Sequence, residues 1–271
     1  MNRNPQASKP DEAPFYVGYQ KHMPAALRRF MLPMVAILLL GSALLALAMP
    51  SLHNPYGSNR SDFRDIRAFE GTLSALPAPH LLMVRPGETG SDAFSRLLLV
   101  GRGKSAPRID VEALDGKRVR VMGSLIYGDG QTLISVRSAE AIEAKRDTPD
   151  AAPEGALPGS YAAARVEDLG THRLRGEIID SKCHYGTMRP GNTKVHRMCA
   201  VRCIAGGVPA LFLTVDREGN SLPLLLADTE GHALFDAVLD YVAEPLEIEG
   251  QVERRGDMLI LKADPAGFRR L

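Results

Sequence analysis

All three cysteines of the chain, Cys183, Cys199 and Cys203, fall in one segment, DSKCHYGTMRPGNTKVHRMCAVRCIAGG (Asp180 to Gly207), together with His184 and His196. Thiolates and imidazoles gathered in this way are ligands for zinc, copper or iron, and three thiolates with one imidazole close a tetrahedral shell. Thr193 to Ile204 holds no Pro or Gly and runs into Gly206-Gly207, a helix stop. On that helix His196, Cys199 and Cys203 stand at i, i+3 and i+7 and share one face. Cys183 and His184 arrive from the end of the preceding strand. The expected metal ligands are Cys183, His196, Cys199 and Cys203, with His184 as a substitute ligand and Asp180 as the carboxylate that orients an imidazole.

The same residues support a second chemistry. Disulfides consume thiols in pairs, so three cysteines outside a membrane leave one over. A bridge from Cys183 to either Cys199 or Cys203 would staple the segment and make the protein a non-catalytic binding module. A Cys199–Cys203 bridge is disfavoured, because residues four apart on a helix hold their Cβ atoms farther apart than the roughly 3.8 Å a disulfide wants. The spacing is neither the tight pair of zinc ribbons nor a ferredoxin run, and without C-x-x-C-H no covalent c-type haem is indicated. An enzyme ranks behind both readings, since no nucleophile with its base, no paired catalytic carboxylates and no phosphate-cradling loop is legible.

The elements that must position these groups form two similar halves. VRVMGSLIYGDGQTLISV (Val119 to Val136) and LEIEGQVERRGDMLILKA (Leu246 to Ala263) both read as hairpins with a glycine at the same place, Gly123 and Gly250. Each half opens on a strand around a glycine, FEGTLSAL at Gly71 and LRGEIIDS at Gly176. From Gly71 to Gly123 is 52 residues and from Gly176 to Gly250 is 74, and the excess nearly equals the 23 residues of Ser181 to Cys203. The chain therefore reads as a duplicated β-domain whose second copy carries the Cys/His segment, 181–207, as an insertion.

In the second half a strand (Leu174 to Asp180), a hairpin (Leu211 to Asp216, Leu222 to Asp228), a helix (His232 to Val242, capped by Asp228 or Thr229) and a closing hairpin follow one another. That is the element order of a five-stranded OB-type barrel. In the first half, strands at His80 to Val84 and Phe94 to Val100 precede the hairpin. GRGKSAPRIDVEALDGK stands where the helix would be, so that barrel is expected to lack it. Arg102, Lys104 and Arg108 in this stretch read as a solvated basic loop, and His22, His53, His80, His172 and His232 as solvated or packed side chains. The fold class is mainly β, two tandem OB-like barrels (62–144 and 165–271) joined by a linker, 145–164.

Phe30 to Met49, FMLPMVAILLLGSALLALAM, carries no charge over about 20 residues, the length of a transmembrane helix. Pro33 falls in its first turn and Pro50 closes it. Arg3, Lys9, Lys21, Arg28 and Arg29 precede the span, which places residues 1–29 in the cytoplasm as a leader and the bulk of the chain outside. Ala46-Leu47-Ala48 also fits a signal-peptidase site, which would make the span a cleaved signal, and Arg28-Arg29-Phe30 is an incomplete version of the twin-arginine export signal. With 33 basic and 32 acidic residues there is no overall field to attract nucleic acid.

The block D-S-K-C, then K-x-H-R-x-C-A-x-x-C and G-G-V-P, resembles one in a family of uncharacterised membrane-anchored proteobacterial proteins, which also have a leader similar to FYVGY (Phe15 to Tyr19), one span and a soluble part after it. The likeness is strongest over Gly176 to Phe212. It implies a bacterial inner-membrane protein whose bulk is periplasmic. A more distant likeness is to small secreted bacterial domains with D-S-x-C and two cysteines four apart. The OB-type haem chaperones of cytochrome c maturation are similar in having one span plus a barrel, but their haem-bearing His has no counterpart in DMLILKADPAGFRRL. The function expected from all of this is an accessory, electron-transfer or assembly subunit, with a protein partner in a membrane complex.

Overall fold

The computed structural model describes residues 25–52, 59–85, 94–128, 130–142, 166–186 and 188–271. Nearly all of the leader, the whole 145–164 linker, His22 and His53 lie outside them. The chain divides into two compact units, Met1–Pro55 and Tyr56–Leu271.

In the first unit, helix α1 spans Ala25–Leu52, and Leu27–Met49 is long and apolar enough to cross a membrane, which suits an anchor and a signal sequence alike. Ile37, Leu38, Leu39, Leu40, Leu44 and Leu47 are all exposed on it. The helix starts earlier than the apolar run, at Ala25, so Pro33 lies in its interior and not in the first turn, and Pro50 precedes the last residue, Leu52, by two. Ser42 hides its hydroxyl by donating to the Leu38 carbonyl at 2.7 Å.

The second unit consists of two closed five-stranded barrels of one topology. The first comprises β2 (Arg67–Ser74), β3 (His80–Val84), β4 (Phe94–Val100), β5 (Arg118–Gly128) and β6 (Gln131–Ala141), with β1 (Arg60–Ser61) beside β5. The second comprises β7 (Val166–Asp180), β8 (Ala210–Val215), β9 (Ser221–Ala227), β10 (Leu246–Arg255) and β11 (Met258–Lys262), with β12 (Arg269–Arg270) beside β10. In each, the first strand pairs antiparallel with the second and fourth, and the barrel closes through a parallel pairing of third and fifth strands, Leu99 opposite Ile134 and Leu226 opposite Leu261. This is the OB arrangement.

The repeated glycines are places where strands cross too closely for a side chain. A Cβ on Gly71 would lie 2.3 Å from the Leu82 carbonyl oxygen, and one on Gly176 2.1 Å from that of Leu213. Gly123 and Gly250 meet the Ser135 and Lys262 carbonyls in the same way.

Three helical segments differ from expectation. The first barrel does have a helix, one turn at α2 (Val111–Leu114), capped by Asp110, whose side chain accepts from Ala113 N at 3.0 Å. It is too short to show a helical period. In the second barrel the corresponding segment is a 3-10 helix, Asp236–Tyr241. Asp228 does not cap it, but closes the turn before it by accepting from Glu230 N and His232 N, each at 2.9 Å. Leu234, Val238 and Val242 are nonetheless buried in the barrel, so the apolar spacing marked a packed face and not a regular α-helix. Cys183 and His184 lie on a one-turn helix, α3 (Ser181–Tyr185), and not on the strand end. The insert's longer helix, α4, runs Thr193–Ala205.

The barrels share a core. Along β8, Phe212 points into the second barrel's interior while Leu211 and Leu213 point the other way, and Leu224 and Leu226 alternate likewise with Leu225. In the first barrel Leu97 and Leu99 fill the interior, and Leu98 and Val100 join the outward set. The outward sets meet in one cluster with Ile126, Leu133, Ile179 and Ile260. Both faces of these strands are buried, which accounts for their unbroken apolar runs, LLLV and LLLA.

Candidate metal centre

Asp180, the last residue of β7, is fully buried, and its two carboxylate oxygens serve two elements. Oδ1 caps α3 by accepting from Cys183 N at 2.8 Å. Oδ2 lies 3.1 Å from His196 Nε2 on α4. An ionised carboxylate can only accept, so a neutral His196 donates from Nε2 and carries its lone pair on Nδ1. One side chain thereby fixes the orientation of both segments that bear sulfur.

The cysteines converge on Cys183. Its Sγ lies 3.8 Å from Cys199 Sγ and 4.0 Å from Cys203 Sγ. All three are free thiols. A disulfide requires about 2.05 Å between sulfurs, whereas metal–sulfur bonds of about 2.3 Å in a tetrahedron give edges of about 3.8 Å. Donor atoms of Cys183, His196 and Cys199 lie within 4.8 Å of one another, as do those of Asp180, Cys183 and Cys203. These groups can hold a metal ion. Among the described residues His184 joins neither group. Its ring packs edge-on against Tyr185 at 5.0 Å, and its carbonyl accepts from Asn59 Nδ2 at 2.9 Å.

The first barrel contributes too. Its loop after β4 reaches the insert, where Ala106 N donates to the Gly206 carbonyl at 2.6 Å. Gly206 is small because a Cβ there would meet the Lys104 carbonyl oxygen at 2.0 Å. Lys104 Nζ lies 2.8 Å from Cys199 Sγ, a contact that raises the lysine's pKa. Lys182, 8% exposed, sends its ammonium to the carbonyls of Gly101 and Gly103. Burial pulls its pKa down, against the charges of Cys203, Cys183 and Asp180. The hydrogen bond to Cys203, then burial, then the charge of Asp180 push the Cys183 thiol up.

The three sulfurs open onto a cavity of 460 Å³ between the barrels, which Arg102, Lys104, Arg137 and Lys182 also line. None of these four basic residues was legible as part of the site. Lys104 and Arg102 read as a solvated loop because nothing in the sequence shows that the loop lies opposite an insertion some eighty residues away. Lys182 stands inside the D-S-K-C block, and that adjacency was the available signal. Of the other described histidines, His80 is buried, and His172 and His232 are exposed.

No family model and no curated protein matches the chain. Among solved structures, a deletion mutant of the single-stranded DNA binding protein from Thermus aquaticus is similar at 13% identity with a TM-score of 0.22, over 79% of this chain and 95% of that one. At that TM-score the likeness carries no argument.

Proposed function

We propose that the protein is a membrane-anchored, periplasm-facing carrier of one metal ion, held by Cys183, His196, Cys199 and Cys203, and that it serves a membrane complex as an accessory, electron-transfer or assembly subunit. The observation that carries the reading is the convergence of Cys199 and Cys203 on Cys183 at tetrahedral-edge distances, with His196 in reach. His196 would bind through Nδ1 while Nε2 donates to Asp180, the carboxylate–histidine–metal arrangement that fixes a ring and raises its basicity. Three thiolates and a divalent ion leave one negative charge, which the buried Lys182 ammonium offsets. Zinc, copper and iron all suit this donor set.

The test is elemental analysis of the full chain in detergent, purified without chelator, with thiols counted on the same sample after unfolding. One metal per chain and three titratable thiols are expected. No metal with a single thiol would instead mean a disulfide-stapled binding module, a reading favoured only by the nearness of Cys183 to both partner sulfurs. Cys203→Ser should then abolish metal retention if the ion is held as proposed.

A further inference from the structure

The cavity beside the sulfurs has a composition that the metal does not explain. Four cations line it, Arg102, Lys104, Arg137 and Lys182, and no Asp or Glu does. None of the four has a carboxylate partner among the described residues. Elsewhere on the barrels, arginines are matched across strands, Arg120 with Glu70, Arg173 with Glu249, and Arg175 and Arg269 with Glu247. Among the described residues Arg108, Lys117, Arg202 and Arg217 also lack an ion pair, but they do not line this cavity, where four such cations meet. The centre itself does not neutralise them, because a divalent ion with three thiolates, together with the buried Asp180 carboxylate behind them, supplies two negative charges against four positive ones.

The remaining wall is apolar or small. Phe63, Ile66 and Met188 line one part, and Phe63 and Met188 are 55% and 47% exposed. Gly123 and Ser124 line another, where the pairing of β5 with β6 shifts register between Met122 and Gly123. We infer that this cavity binds a small organic anion, a carboxylate or phosphate ester with a compact apolar body, alongside the cysteine cluster. Guanidinium groups match such heads bidentately, and ammonium groups act as point charges. The volume, within the usual range of about 300–1,000 Å³ for small-molecule sites, leaves room for a body of about a phenyl ring. The inference goes beyond the metal reading and stands whether or not an ion is held.

The experiment is calorimetric titration of the full chain in detergent with benzoate, phenyl phosphate and the neutral benzamide, with metal content measured on every sample. Saturable binding of benzoate or phenyl phosphate at one site is expected, benzamide binding at least tenfold more weakly. The ratio of the two anions identifies the head group. Arg102→Gln and Arg137→Gln, both exposed and outside the sulfur cluster, should each weaken the anions about tenfold without changing metal content or melting temperature. Equal binding of benzamide, unaltered affinity in both arginine variants, or no saturable binding would overturn the inference. Binding that vanished on chelation yet ignored both arginine variants would place the anion on the metal and overturn it as well.

Discussion

Asp180 can be altered without changing its size. Asp180→Asn keeps an oxygen for the Cys183 amide but sets an NH2 group against His196 Nε2, which must then present a lone pair there and lose it at Nδ1. The expected result is a 10–100-fold loss of metal affinity, the usual cost of removing such an outer partner, with a cost of about 1–3 kcal/mol in the metal-free fold. Competition against a chromophoric chelator measures the first and denaturant unfolding the second. Unchanged affinity would remove Asp180 and His196 from the centre. His80 offers a second residue-level prediction. Burial lowers its pKa to about 4, against the opposing hydrogen bond its Nδ1 donates to the Ala78 carbonyl at 2.8 Å, with the charge of nearby Arg96 lowering it further. Between about pH 6.5 and 4 the unfolded chain takes up a proton that the folded chain excludes, so stability falls as pH falls through that window, by an amount on the order of 3 kcal/mol. His80→Asn keeps a donor near Nδ1 and cannot titrate. Its deficit relative to wild type should shrink from pH 7 to pH 4, and a constant deficit in pH-dependent melting would contradict the burial argument.

At the level of elements, what was legible followed from period and from length. The strands and the insert's helix were set by alternation, by an uninterrupted run and by the glycines. The duplication was visible because four close strand crossings each exclude a side chain. That exclusion can be tested with a control in the same strand. Gly176→Ala should be strongly destabilising, by more than about 2 kcal/mol, since its Cβ would meet backbone that cannot move without opening the β7–β8 ladder. Gly170→Ala, at φ 87° with nothing within 4 Å, should cost only the left-handed backbone penalty of about 1 kcal/mol. Comparable costs in denaturant unfolding would mean that close approach is not what the glycine at 176 serves. The 3-10 helix was legible as a helical segment through its apolar spacing but not in its type, whereas the one-turn α2 and α3 escaped the sequence because a segment of four or five residues completes too little of a helical period to be told from a turn. Their capping aspartates, Asp110 and Asp180, were the available marks.

The contact between the barrels was the least legible feature, for a physical reason. Unbroken apolar strands announce that both faces are covered but do not say by what, and the cover here is the other copy. The site depends on that contact, taking its sulfurs from the second barrel and Lys104 from the first. Two consequences follow for the molecule as a unit. Because Leu225, 2% exposed, belongs to the shared cluster, Leu225→Ala should cost about 2–5 kcal/mol and lower a single melting transition, not split off one barrel. Metal added to chelated protein should raise that same transition for both barrels, since an ion bound only by the folded unit stabilises whatever unfolds with it. Far-ultraviolet circular dichroism reports the whole β content, while the intrinsic fluorescence of the seven tyrosines, which include Tyr127 of the first barrel and Tyr185 and Tyr241 of the second, follows both barrels together. Coincident transitions in both signals, shifted equally by metal, are expected. A β signal melting in two steps, only the later one sensitive to metal, would mean that the first barrel folds independently of the centre and that its lysine approaches the sulfurs without being energetically tied to them.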